Sequence, residues 1–159
     1  MRLKNVIDED FVQYQKPCMF ISTCFCDWKC CKELGMDICM CQNSPAYDSK
    51  IVNKHNDALV KRYMKNPISQ SIVFGGFEPM LQFDELVELI RRFREETSDD
   101  IVIFTGYYEN EIKDKIDVLK HFRNIVVKFG RYVPGQEPHL DPVLGVKLAN
   151  KEQYATRIS

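Results

Sequence analysis

Apolar residues in this chain come in short runs, and two periodicities take turns along it. Cys18-Met19-Phe20-Ile21-Ser22-Thr23 is a run of strand formers. Positions 51–65 place Val52, Leu59, Val60, Tyr63 and Met64 as the apolar face of a helix, closed by Pro67. Positions 71–74 form a second buried-type strand, broken by Gly75-Gly76. The clearest helix is predicted over 82–96, where Phe83, Leu86, Val87, Ile90 and Phe93 make one stripe. Asp84 and Glu85 fall in its first turn, where the helix dipole favours negative charge. A strand follows at 100–105, ended by Gly106. A helix at 109–120 comes next, with Ile112, Ile116 and Leu119 on one side, and then a strand at 124–129, ended by Gly130. Pro134, Gly135, Pro138 and Pro142 exclude a long regular element afterwards, leaving an irregular extension over about 131–159.

Strand and helix in alternation mean a parallel sheet with right-handed crossovers, so the fold class is α/β. Four such strands cannot close an eight-stranded barrel. They make either an open partial (β/α) barrel or a small doubly wound sheet, and in both cases ligands sit at the carboxyl ends of the strands. The cysteine-rich segment, Gly75-Gly76, Thr105-Gly106 and Gly130 all fall at those ends. With 159 residues, one domain spanning 1–159 is expected.

Composition changes this picture at one place. The net charge of −1 and pI near 6.3 give no case for nucleic acid or a membrane surface as partner. The amino terminus carries acids early and lacks an apolar h-region, so a cytoplasmic location is expected. All seven cysteines, however, lie between Cys18 and Cys41. An odd number packed into one segment is a poor disulfide framework and reads as metal ligation, by zinc or an iron–sulfur cluster. A structural zinc site needs four closed ligands, and the paired C-x2-C spacing of zinc ribbons is absent. Cys26-x3-Cys30 puts two thiolates on one short turn, and Cys39 or Cys41 closes the other side. Three ligands leave one iron of a 4Fe–4S cluster open. Cys18 and Cys24 read as buried thiols. His55, His121 and His139 show no ligand spacing, and Trp28 reads more simply as core packing than as a shield for the cluster.

Ile21-Ser22-Thr23-Cys24-Phe25-Cys26-Asp27-Trp28-Lys29-Cys30, followed by Cys41-Gln42-Asn43, resembles the cluster loop of radical S-adenosylmethionine enzymes. It is most similar to the activating proteins of anaerobic ribonucleoside-triphosphate reductase. That family has C-x3-C-x2-C with an asparagine two residues after the third cysteine. Here ten residues separate Cys30 from Cys41. Gln42-Asn43 favours Cys41 as the third ligand, with Cys39 next and Cys31 less favoured. Gly75-Gly76-Phe77-Glu78-Pro79 resembles the family's Gly-Gly-Glu-Pro turn with Phe77 inserted, and Thr105-Gly106-Tyr107 resembles the end of its next strand. Lys128 and Arg131, near a later strand end, face either phosphate-free ligand groups or solvent, with solvent the simpler reading.

The resemblance implies the partial-barrel fold, a metal site of Cys26, Cys30 and Cys41, and S-adenosylmethionine bound at Gly75, Gly76, Glu78, Thr105 and Gly106. It also implies an oxidoreductase that generates a 5′-deoxyadenosyl radical and installs a glycyl radical on an anaerobic ribonucleotide reductase, with a reduced flavodoxin-like protein as electron donor. Two alternatives stay open. One is a short radical enzyme acting on a small molecule such as a deazapurine precursor; the other is a non-catalytic zinc-binding module.

Overall fold

The four strand ends read from the sequence, one leading into the cysteine segment and three marked by glycine, lie side by side in the middle of one six-stranded sheet. The computed structural model describes residues 1–159. The strands are β1 (Asn5–Asp10), β2 (Cys18–Thr23), β3 (Ser71–Gly76), β4 (Asp100–Phe104), β5 (Ile125–Phe129) and β6 (Tyr154–Arg157). Their order across the sheet is their order along the chain. β2 to β5 are parallel neighbours, and β1 and β6 close the two edges antiparallel. The helices are α1 (Lys29–Glu33), α2 (Asn56–Lys65), α3 (Phe83–Glu96) and α4 (Lys113–Leu119).

Crossovers of one hand between strands in chain order bring α2, α3 and α4 to the same face. The burial pattern agrees. Ile72, Phe74, Ile101, Ile103, Ile125 and Val127 pack with Leu59 and Tyr63 of α2, Leu86 and Phe93 of α3, and Ile116 of α4. The alternate residues Val73, Val102 and Val126 point to the other face beside Ala155 of β6, where Tyr14, Leu144 and Leu148 cover them. Burial on both faces explains why these strands are unbroken apolar runs rather than alternating ones. The sheet is singly wound, without the strand-order reversal of a doubly wound fold.

Three differences from the expected elements have local causes. β1 and β6 escape the sequence pattern because each pairs on one side only, so acids in β1 and Tyr154, Thr156 and Arg157 in β6 face water. The region read as an irregular extension thus contributes an edge strand. It also forms a two-residue pairing of His139–Leu140 with Lys147–Leu148. The predicted helix at 51–65 begins at Asn56, because Val52–Asn53 pairs with Arg2–Leu3. The helix at 109–120 divides into a 3-10 turn, Glu109–Glu111, and α4. No helix is long and apolar enough to cross a membrane.

Candidate metal centre

The carboxyl ends of β2 to β5 border a cavity of about 550 Å³, and the cysteine loop that leaves β2 folds over it. Polar side chains hold this loop in place. The Cys24 amide donates to Gln82 Oε1 at 2.9 Å, and Gln82 Nε2 donates in turn to the Arg2 carbonyl at 2.8 Å. Tyr107 Oη, beyond β4, donates to Asp27 Oδ2 at 2.7 Å. Arg131, beyond β5, grips Glu33 of α1 and Glu111 with paired bonds of 2.7–3.1 Å and also donates to the Gly106 carbonyl. Lys29 Nζ reaches Glu111 at 2.6 Å. Trp28 starts α1 with φ +58°, a left-handed conformation that a bulky residue rarely adopts. Its ring is locked edge-on to Tyr47 and Phe77, with centroids 5.3 and 5.9 Å away. The core-packing reading of Trp28 therefore describes its contacts, and Phe77, inserted in the glycine turn, is the packing partner.

Four of the seven thiols line the cavity: Cys26, Cys30, Cys31 and Cys41. Cys26 Sγ accepts from the Trp28 amide at 3.3 Å. Cys30 Sγ sits so close to Gly106 that a Cβ there would come within 2.9 Å. Cys31 is buried with Trp28 and Phe77, and Cys26, Met36 and Cys41 pack against that cluster. Burial raises the thiol pKa of Cys26 to about 12 and also raises those of Cys30 and Cys31. Removal from water is the dominant cause in each case. Lys128 and Arg131 oppose that effect at Cys30, and a bound metal would add the positive charge that favours the thiolates.

Of the candidate ligands, Cys26, Cys30 and Cys41 thus come together, Cys31 joins them, and Cys39 does not. Cys39 is exposed on the 3-10 turn Ile38–Met40, where its amide donates to Asp37 Oδ1 at 2.8 Å. Cys18 lies beneath the sheet and Cys24 against Gln82, both buried and away from the cavity. No three His, Cys, Asp or Glu side chains converge as a single ion demands. Cys26, Cys30, Cys31 and Cys41 instead share the wall of one cavity, where thiolates could hold a multi-iron cluster.

The glycine turn sits on the same rim. Gly76 has φ +79°, and a side chain there would collide with Ser22 Oγ. Gly76, Glu78, Thr105 and Gly106 line the cavity; Gly75 stands behind them, its carbonyl accepting from Thr23 Oγ1 at 3.0 Å. The buried Glu78 carboxylate accepts from Thr105 Oγ1 at 2.7 Å, the Gly106 amide at 2.8 Å and the Met80 amide at 3.0 Å. It ties the turn after β3 to the turn after β4. Burial raises its pKa, against those three donors.

Lys128 and Arg131 do not face solvent as expected; both are buried. Lys128 is 7% exposed, borders the cavity and donates to the Gly130 carbonyl at 3.2 Å. Burial brings its pKa down to about 8. Strand alternation carried the signal: Lys128 shares a face with Val126, the face away from the helices, at the carboxyl end of its strand.

A singly wound α/β sheet whose carboxyl edge gathers four thiols around one cavity defines a thiolate-ligated metal-cluster protein. Residues 16–143 match the family model described as "4Fe-4S single cluster domain", and the chain belongs to that family. It is an iron–sulfur protein, and its cofactor is a 4Fe–4S cluster. No curated protein matches the chain. No solved structure matches it either.

Proposed function

We propose that this protein is a radical S-adenosylmethionine enzyme of the glycyl-radical activating type, whose substrate is an anaerobic ribonucleotide reductase. One observation carries the reading: Gly76, Glu78, Thr105 and Gly106 border the same cavity as Cys26, Cys30 and Cys41. A cluster and a second ligand placed there would touch. The chain-order sheet with helices on one face supports the open partial barrel that this reading requires.

In this reading Cys26, Cys30 and Cys41 hold the cluster. Gly76 lets the backbone approach the second ligand, because no side chain fits at its position. Glu78 fixes the Thr105-Gly106 turn that forms the adjoining wall. When bound, the cluster would supply the electron that cleaves S-adenosylmethionine to methionine and a 5′-deoxyadenosyl radical. A protein substrate covering the open carboxyl edge would exclude water from that reaction. A reduced flavodoxin-like protein would deliver the electron.

The test uses anaerobically reconstituted, reduced protein with S-adenosylmethionine and a candidate reductase. Formation of 5′-deoxyadenosine together with a glycyl doublet in electron paramagnetic resonance is expected. A colourless protein with stoichiometric zinc would refute the proposal in favour of the zinc module. Lys128 favours a second reading, since a buried ammonium with one carbonyl partner at the cavity wall suits a small anionic substrate. Formation of 5′-deoxyadenosine without a doublet on any reductase would select it.

A further inference from the structure

Sequence spacing ranks Cys31 last among the candidate ligands, because it directly follows Cys30. Its position in the fold is different. Cys31 is 2% exposed, and its side chain lies on the cavity wall with Cys26, Cys30 and Cys41. The other buried thiols, Cys18 and Cys24, line no cavity. Consecutive residues on a helix point about 100° apart. α1 lies against the cavity so that both Cys30 and Cys31 border it. Arg131 and Lys29 fix that placement through Glu33 and Glu111. Packing against Trp28 and Phe77 accounts for the burial of Cys31, but not for a fourth thiol on the wall of a cavity that three would serve.

We propose that Cys31 is a fourth thiolate donor to the cluster, capping the iron that Cys26, Cys30 and Cys41 leave free. The inference rests on the 4Fe–4S assignment and not on the radical chemistry. If S-adenosylmethionine binds to that iron, the Cys31 thiolate would give up its place. That exchange leaves the oxidation state of iron unchanged, and the departing thiolate takes a proton from water.

A 4Fe–4S cluster held by three cysteines readily loses its free iron to mild oxidation and becomes a paramagnetic 3Fe–4S species; a fully thiolate-ligated cluster resists this. Wild-type protein, Cys31→Ala and Cys39→Ala are reconstituted anaerobically and titrated with ferricyanide, with electron paramagnetic resonance and iron content as readouts. Wild type and Cys39→Ala should yield little 3Fe–4S signal, and Cys31→Ala several-fold more. Cys31→Ser, which keeps the volume beside Trp28, should behave as Cys31→Ala does and covers the case where alanine unfolds the loop. Equal conversion of wild type and the folded Cys31 variant would overturn the proposal while leaving the cluster assignment intact. Wild type that takes up no iron would overturn both.

Discussion

Removing the Arg131 guanidinium should loosen the cysteine loop before it harms the sheet. The side chain is 4% exposed and bridges Glu33 of α1 to Glu111, whose carboxylates are 45% and 22% exposed. Breaking a buried ion pair from one side costs about 3–5 kcal/mol, whereas a surface pair is worth about 0–1 kcal/mol. Here the arginine is buried but its partners are partly wet, and in Arg131→Ala both carboxylates regain water. The guanidinium also lies over the Tyr108 ring at 4.8 Å and faces the Tyr107 ring at 5.8 Å, contacts worth about 0.5–1 kcal/mol where they are exposed. The balance is a loss of about 2–3 kcal/mol. At roughly 2–4 °C per kcal/mol for a chain of this size, the melting temperature should fall by about 4–12 °C. Arg131→Lys keeps the charge but not the two paired contacts and should fall between wild type and Arg131→Ala. Thermal unfolding followed by circular dichroism, with iron content after reconstitution, provides the assay. A melting temperature within a degree of wild type, with full iron retained, would show that Arg131 does not hold the loop.

Two further outcomes follow from local geometry. Gly76→Ala should be destabilising, because its φ of +79° costs an L-residue about 1–2 kcal/mol and the new Cβ strikes Ser22 Oγ. Adding Ser22→Ala should recover the collision but not the backbone cost, which a urea midpoint below wild type in the double variant would show. Burial alone would raise the pKa of Asp100, but Arg157, Lys16 and Tyr14, all within 3.0 Å of its carboxylate, bring it down to about 2. The folded value thus lies below the unfolded value of about 3.9, so this contribution is complete above pH 4 and is lost as pH falls towards 2. Urea midpoints between pH 2 and 6 should show that decline in wild type and a flatter profile in Asp100→Asn.

The parts legible in the sequence are those whose burial repeats regularly along the element. β2 to β5 are buried on both faces, so their apolar runs stand out, and α3 shows its buried stripe because the opposite side is wet. The edge strands β1 and β6 carry no such signature, since pairing on one side leaves polar residues in place. The cysteine segment marked the site, and the glycine turns at the strand ends marked its rim. Strand alternation pointed Lys128 inward and only its charge masked this, whereas Arg131 was hidden because a charged residue reads as exposed until its partners are known. For Arg131 those partners are Glu33 and Glu111, 98 and 20 residues away in the chain. Nothing local to Arg131 announces a bridge over such separations.

The ten-residue interval between Cys30 and Cys41 has the same origin in chain geometry. Read as a spacing, it is far wider than the two-residue gap of the family it resembles. In the fold the interval doubles back. The Met36 amide bonds to the Cys31 carbonyl at 2.9 Å, closing α1, and the Cys41 amide bonds to the Ile38 carbonyl at 2.9 Å, turning the chain inward. Cys41 then packs beside Cys31 and Trp28 on the cavity wall, while Cys39, two residues earlier, is left facing water. Which thiol reaches the site is therefore decided by the exit direction of a short helix and one 3-10 turn, not by the number of intervening residues. Cys31, placed by α1 before the chain doubles back, thus meets Cys41 on the same cavity wall although ten positions separate them in the chain.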